Sequence, residues 1–163
     1  VIDNSPKEEN SMSIRSILAA FVLSVSIACP IPSSASDDDA SAPHEEATVV
    51  HLSHFTDDLH AAFMAIKLAG AIQATGEKTV LFVDLEGVGA ADSRQPNDMR
   101  WGHSDPLNNY YDSFVKAGGT VLVCPHCAKA AGLSPTDLRA GAKIASEKEL
   151  VATLADSERI LDY

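Results

Sequence analysis

The sequence predicts a three-layer α/β/α domain on a mainly parallel sheet of about five strands, a Rossmann-like arrangement. Three observations carry this. Short β-rich runs alternate with stretches of helical periodicity from residue 47 to the C-terminus. One of those runs, Thr79-Val-Leu-Phe-Val83, is apolar without alternation, as strands covered on both faces are. The 163 residues, 45% hydrophobic and 21% charged, suffice for one ordinary domain plus a tail and contain no internal repeat.

Thr48-Val-Val-His-Leu-Ser53 is the first strand, and Thr56 or Asp57 is placed to cap the helix after it. That helix, over 57–75, carries Leu59, Phe63, Ile66 and Gly70 on one stripe. Ala61, Met64, Ala65, Leu68 and Ile72 fill most of the remaining face. A helix apolar nearly all round needs cover on two sides, so a homo-oligomer is expected with Met64 and Leu68 as contacts. Gly76 ends it before the second strand. Residues 86–105 lack periodicity and read as a long loop. Asp105 then caps a helix from Pro106, with Leu107, Tyr110, Tyr111, Phe114 and Val115 on its inner face and Gly118-Gly119 as its stop. Thr120-Val-Leu-Val123 is the third strand and runs directly into Cys124. A short helix follows from Pro125 to Gly132, then a turn opened by Ser134-Pro135. Ala142-Lys-Ile-Ala145 is the fourth strand, Ser146 and Glu149 form a capping box for the last helix, and Arg159-Ile-Leu161 closes the sheet.

The first 46 residues stand apart. Arg15 precedes an apolar run from Ile17 to Ala28, long enough for the core of an export signal and too short to span a membrane. Ser33-Ser34-Ala35 offers a cleavage site, so residues 1–35 read as an upstream extension plus signal peptide. Residues 36–46 read as an acidic linker and 47–163 as the domain. Export places the mature protein in the periplasm or outside the cell. Cys29, after Ser26-Ile27-Ala28, is the alternative processing point as a lipid anchor. Twelve Lys and Arg against 23 Asp and Glu, a net charge of −11, exclude nucleic acid as the main partner.

Cys124-Pro125-His126-Cys127 is the sharpest chemical feature. A thiol at a strand end and helix N-cap has its thiolate stabilised by helix N–H groups, and Cys127, one turn on, is placed to trap a sulfur species as a disulfide. Cys124 is therefore expected to be the reactive thiol and Cys127, at the third helical position, the covered one. The same four letters occur in thioredoxin-fold oxidoreductases after the first strand. Here they follow the third, with 36 residues left, too few for the rest of that fold. His51 and His54 end the first strand on the same sheet edge as Cys124. With His126 they are auxiliary candidates for proton transfer. A zinc site from the two cysteines and two of His51, His54, His103 or His126 lacks the second ligand pair of a finger. Gly87-Val88-Gly89 lacks dinucleotide spacing, so no cofactor is expected. Arg94, Arg100, Trp101 and His103 gather basic and aromatic groups in one loop. Arg100 is a candidate anion contact there, against the plainer alternative of a solvated loop around one buried Trp.

Three stretches together resemble the DsrE/DsrF-like family of small sulfur-relay proteins, from about Thr48 to Tyr163. They are Val49-Val-His-Leu-Ser through Asp57-Asp58, Gly76-Glu-Lys-Thr-Val-Leu-Phe-Val-Asp-Leu-Glu-Gly-Val88, and Gly119-Thr-Val-Leu-Val-Cys124-Pro-His-Cys127 through Leu133. The resemblance implies a DsrE-like open parallel sheet, assembly into homo-oligomers, and persulfide chemistry on Cys124 with Cys127 as companion. Its implied partner is a sulfur donor or acceptor protein or a small sulfane-sulfur compound. The chain departs from the cytoplasmic relay members in its export signal and in its loop over 86–105. Two other functions use the same residues. One is a periplasmic thiol–disulfide protein working through the cysteine pair, and the other a non-catalytic oligomeric binding protein.

Overall fold

Runs of Val, Leu, Ile and Thr form five strands, and every neighbouring pair is parallel. The structure is a computed structural model that describes residues 47–163. The export segment, Cys29 and the acidic linker lie outside the described residues. The strands are β1 (Ala47–Leu52), β2 (Thr79–Val83), β3 (Thr120–Val123), β4 (Ala142–Ile144) and β5 (Ser157–Asp162), in spatial order β4-β3-β2-β1-β5. Between them run α1 (Leu59–Gln73), α2 (Leu107–Lys116), α3 (Pro125–Ala130) and α4 (Glu147–Ala155).

That order explains the layers. The first three crossovers step the same way across the sheet, and the last returns past β1. Right-handed crossovers therefore place α1, α2 and α3 on one face and α4 on the other. Strand residues alternate to match. Val50, Leu52, Leu81, Val83, Val121 and Val123 join Ala62, Ile66, Tyr111 and Phe114 in the first core. Val49, Val80, Phe82, Leu122 and Ala145 form the second, backed by Leu150 and Leu154 of α4. β1 and β3 are inner strands with no exposed apolar side chain, so each buried Val or Leu in them contributes about 2 kcal/mol.

Several local expectations are corrected. Asp58, not Thr56 or Asp57, caps α1: its carboxylate accepts the N–H groups of His60 and Ala61 at 3.0 Å each. Asp57 is already engaged by His54 and by the Phe55 N–H. The loop over 86–105 begins as a 3₁₀ helix at Leu85–Ala91, whose Gly87, Val88, Ala90 and Ala91 are buried. Small residues allow that turn to lie against the ends of the strands, which a periodicity search does not register. α2 starts at Leu107 with Pro106 as its N-cap, one residue later than expected, and Asp105 provides no cap. At the start of α4, Ser146 Oγ accepts the Glu149 N–H at 3.1 Å, and the Glu149 carboxylate pairs with Lys143 at 2.5 Å while also interacting with the Ser146 N–H. Trp101 is not buried. It is 42% exposed and lies on α1, stacked on His60 at 4.1 Å and tilted on Phe63 at 5.3 Å. α1 finds its second cover in α2 and this loop. Met64 packs partly on the core and Leu68 is half-buried.

Candidate functional site

The carboxyl ends of β1, β2, β3 and β5 converge on one edge, and the chemistry-bearing residues lie along it. Cys124 leaves β3 with its N–H donating to the Val83 carbonyl at 3.0 Å, which pins it beside the end of β2. It is the N-cap residue of α3, with Pro125 at the first helical position. No helix N–H reaches its side chain, contrary to expectation. The reason is local: Pro125 has no N–H, α3 is six residues long, and Cys124 leans on the second core. Cys127, the third residue of α3, leans on the first core. Both thiols are free and partly buried, and they lie on one helical turn, near enough for Cys124 to act on Cys127.

Burial pushes the Cys127 thiol up. The neighbouring Cys124 and the nearby charge of Asp84 push the same way, and the Leu85 N–H donated to the Cys127 sulfur opposes them. Leu85 takes that position with φ +42°, an uncommon backbone for a non-glycine residue, and its side chain is 65% exposed. An open groove of about 420 Å³ runs past Cys127, lined by Leu85, Glu86, Val88, Ala130 and Ala131.

His51 ends β1 with both ring nitrogens engaged: Nε2 at 2.9 Å from Asp84 Oδ1, and Nδ1 at 2.6 Å from Asp162 Oδ1. Its ring stacks on Phe82 at 5.0 Å. Asp84 therefore joins His51 to the cysteine turn. His54 pairs with Asp57 at 2.6 Å, in the turn leading to α1, and His126 is exposed and pairs with Glu147 on α4 at 2.9 Å. Arg100 is exposed and donates to the Asp98 carbonyl in its own loop at 3.3 Å. The structure thus brings Cys124 and Cys127 together, with His51 reaching them through Asp84. The bonds given to His54, His126 and Arg100 lie apart from that pair. Among the described residues no three His, Cys, Asp or Glu side chains form a metal-ligand group.

Sequence reasoning missed Asp84, Asp162 and Leu85. The only signal was position, since Asp84 directly follows an apolar strand and so stands at the edge where ligands are met. Asp162 had none, because its partner His51 is 111 residues away in sequence.

A five-stranded parallel α/β domain with two free thiols on one helical turn at the carboxyl edge of an inner strand defines a small cysteine-bearing α/β protein. The chain belongs to the DsrE/DsrF-like family, whose model matches residues 49–163, and membership associates it with sulfur relay. It is 28% identical over 102 residues to the uncharacterized protein MJ0989 of Methanocaldococcus jannaschii, spanning 63% of this chain and 86% of the relative. It is 26% identical over 105 residues to the uncharacterized protein MK0008 of Methanopyrus kandleri, spanning 63% and 81%. Among solved structures it resembles the ychN protein of E. coli, with a TM-score of 0.62 at 18% identity over 72% of this chain and 99% of that one. It also resembles MTH1491 of Methanobacterium thermoautotrophicum, a protein of unknown function, with a TM-score of 0.51 at 15% identity over 70% and 98%. At these identities both likenesses establish the fold.

Proposed function

We propose that the protein handles sulfane sulfur, carrying it as a persulfide on Cys124 with Cys127 as the resolving thiol. The observation that carries this is the close placing of two free thiols, one helical turn apart, at the carboxyl edge of β3. Burial and the Asp84 charge hold Cys127 as a thiol, which leaves Cys124 as the nucleophile. The groove gives a small polysulfide or the cysteine loop of a partner an approach to α3 on its Cys127 side. Incubation of the reduced protein with polysulfide, followed by peptide mass spectrometry, is expected to add about 32 Da, one sulfur atom, to Cys124. Addition at Cys127 alone, or none, overturns the assignment.

The same placing supports a second use, thiol–disulfide exchange without sulfane sulfur. A Cys124–Cys127 couple that cycles with dithiol substrates and takes up no sulfur is its signature.

Two further proposals concern setting. The mature protein is exported, beginning near Ser36 or at a lipidated Cys29, and intact mass from the native host tests this. It also assembles with copies of itself. The support comes less from Met64 and Leu68, which are partly covered, than from Val151 on α4 and Ile160 on β5, which are 66% and 51% exposed. Light scattering at micromolar concentration is expected to give a multiple of the mature mass, and a monomer overturns it.

A further inference from the structure

The sulfur-carrier proposal makes no use of the Asp162–His51–Asp84 array. Its groups sit at the ends of three adjacent strands, β5, β1 and β2, and the next strand, β3, carries Cys124. The outer carboxylate, Asp162, has its side chain 77% exposed, while those of His51 and Asp84 are 22% and 23% exposed. The array therefore runs from solvent to the turn that faces Cys127.

We infer that Asp84 and His51 are positioning residues that set the reactivity of Cys127, and thereby how long sulfur stays on Cys124. The inference rests on the carrier proposal above. When Cys124 holds a persulfide, the Cys127 thiolate attacks the Cys124 sulfur. The bond from that sulfur to the terminal one breaks, a Cys124–Cys127 disulfide forms, and the terminal sulfur leaves with the bonding pair as hydrosulfide. The proton lost by Cys127 passes to solvent, and no outside oxidant or reductant is needed. This release requires a thiolate at Cys127. The Asp84 carboxylate opposes that thiolate, and the hydrogen bond it accepts from His51 Nε2 at 2.9 Å offsets the carboxylate. Burial and Asp84 together hold Cys127 as a thiol, so sulfur is kept for an acceptor rather than shed. Cys127 faces Asp84, the Leu85 N–H, Cys124 and, across the groove, Glu86. His51 faces Asp84, Asp162 and the Phe82 ring, and Asp162 acts also on the His54–Asp57 pair.

The test uses the aromatic disulfide dithionitrobenzoate on the reduced full chain carrying Cys29→Ser. Attack by Cys124 releases a first nitrothiobenzoate, and attack by Cys127 on the mixed disulfide releases a second, a phase that Cys127→Ser abolishes. Near neutral pH, Asp84→Asn is expected to speed the second phase about threefold or more, since a carboxylate no longer opposes the thiolate. His51→Gln is expected to slow it by a similar factor. Opposite signs for Asp84→Asn and His51→Gln cannot come from a general loosening of the edge. Slowing in both, which marks Asp84 as a base or a structural prop, overturns the inference, and so does an unchanged rate in either. Sulfane sulfur plays no part in this assay. If polysulfide loading fails while the opposite signs hold, only the carrier proposal falls; if loading holds and the signs fail, only this inference falls.

Discussion

A Cβ on Gly87 would stand 2.0 Å from the carbonyl oxygen of Leu52, so the turn after β2 lies directly on the end of β1. The Gly87 N–H uses the closeness by donating to the Ser53 carbonyl at 3.1 Å. This contact holds the segment that bears Asp84 and Leu85 against the end of β1, and with it the wall of the cysteine groove.

Gly87→Ala is accordingly expected to destabilise the domain by about 2 kcal/mol or more, because the obstacle is backbone and cannot rotate away. Urea unfolding followed by circular dichroism measures it. A loss below about 0.5 kcal/mol would show that the turn has room to move.

The reactive thiol is expected to be Cys124. Near pH 7, iodoacetamide should label it faster than Cys127, whose thiol is pushed up by burial and by Asp84. Cys124→Ser should abolish sulfur loading, and Cys127→Ser should retain it while losing the internal disulfide. Peptide-resolved labelling rates decide the matter, and faster labelling of Cys127 reverses the roles.

His54 is expected to titrate above 6.5, its ordinary value, because it bonds Asp57, whose carboxyl is in turn held down at about 2. The signs follow from linkage. The raised histidine adds stability below its ordinary value and loses it as pH rises through the raised one. The depressed carboxylate adds stability above 3.8 and loses it as pH falls toward about 2. Between those limits both contribute, and both groups are exposed, so the effect on stability is small. A proton NMR titration should place the His54 midpoint above that of Asp57→Asn, and coincident midpoints refute the pairing.

Removal of the α1 cap by Asp58→Ala is expected to cost about 1 kcal/mol. Thr56→Ala, at a position that bonds no helix N–H, should cost less than about half of that. Thermal melts of the two variants compare them, and equal losses would shift the cap away from Asp58.

Pattern along the chain was enough for the fold class, all four helices, five strands and the placing of Cys124 and Cys127 on one helical turn. Each of these is settled by residues close in sequence: apolar periodicity, breakers such as Gly76 and Gly118, and a three-residue spacing. The expected export signal and linker rest on the same local kind of pattern and lie outside the described residues. What tertiary structure alone decided is the company the cysteines keep. Asp84 and Asp162 reach His51 from 33 and 111 residues away. They meet because β1 lies between β2 and β5, and strand order is chosen by burial of whole faces, which no local run encodes. The cap at Asp58 and the 3₁₀ turn at Leu85–Ala91 were likewise set by competition. Asp57 was taken by His54, and Gly87 offered the close approach that only packing against Leu52 could demand.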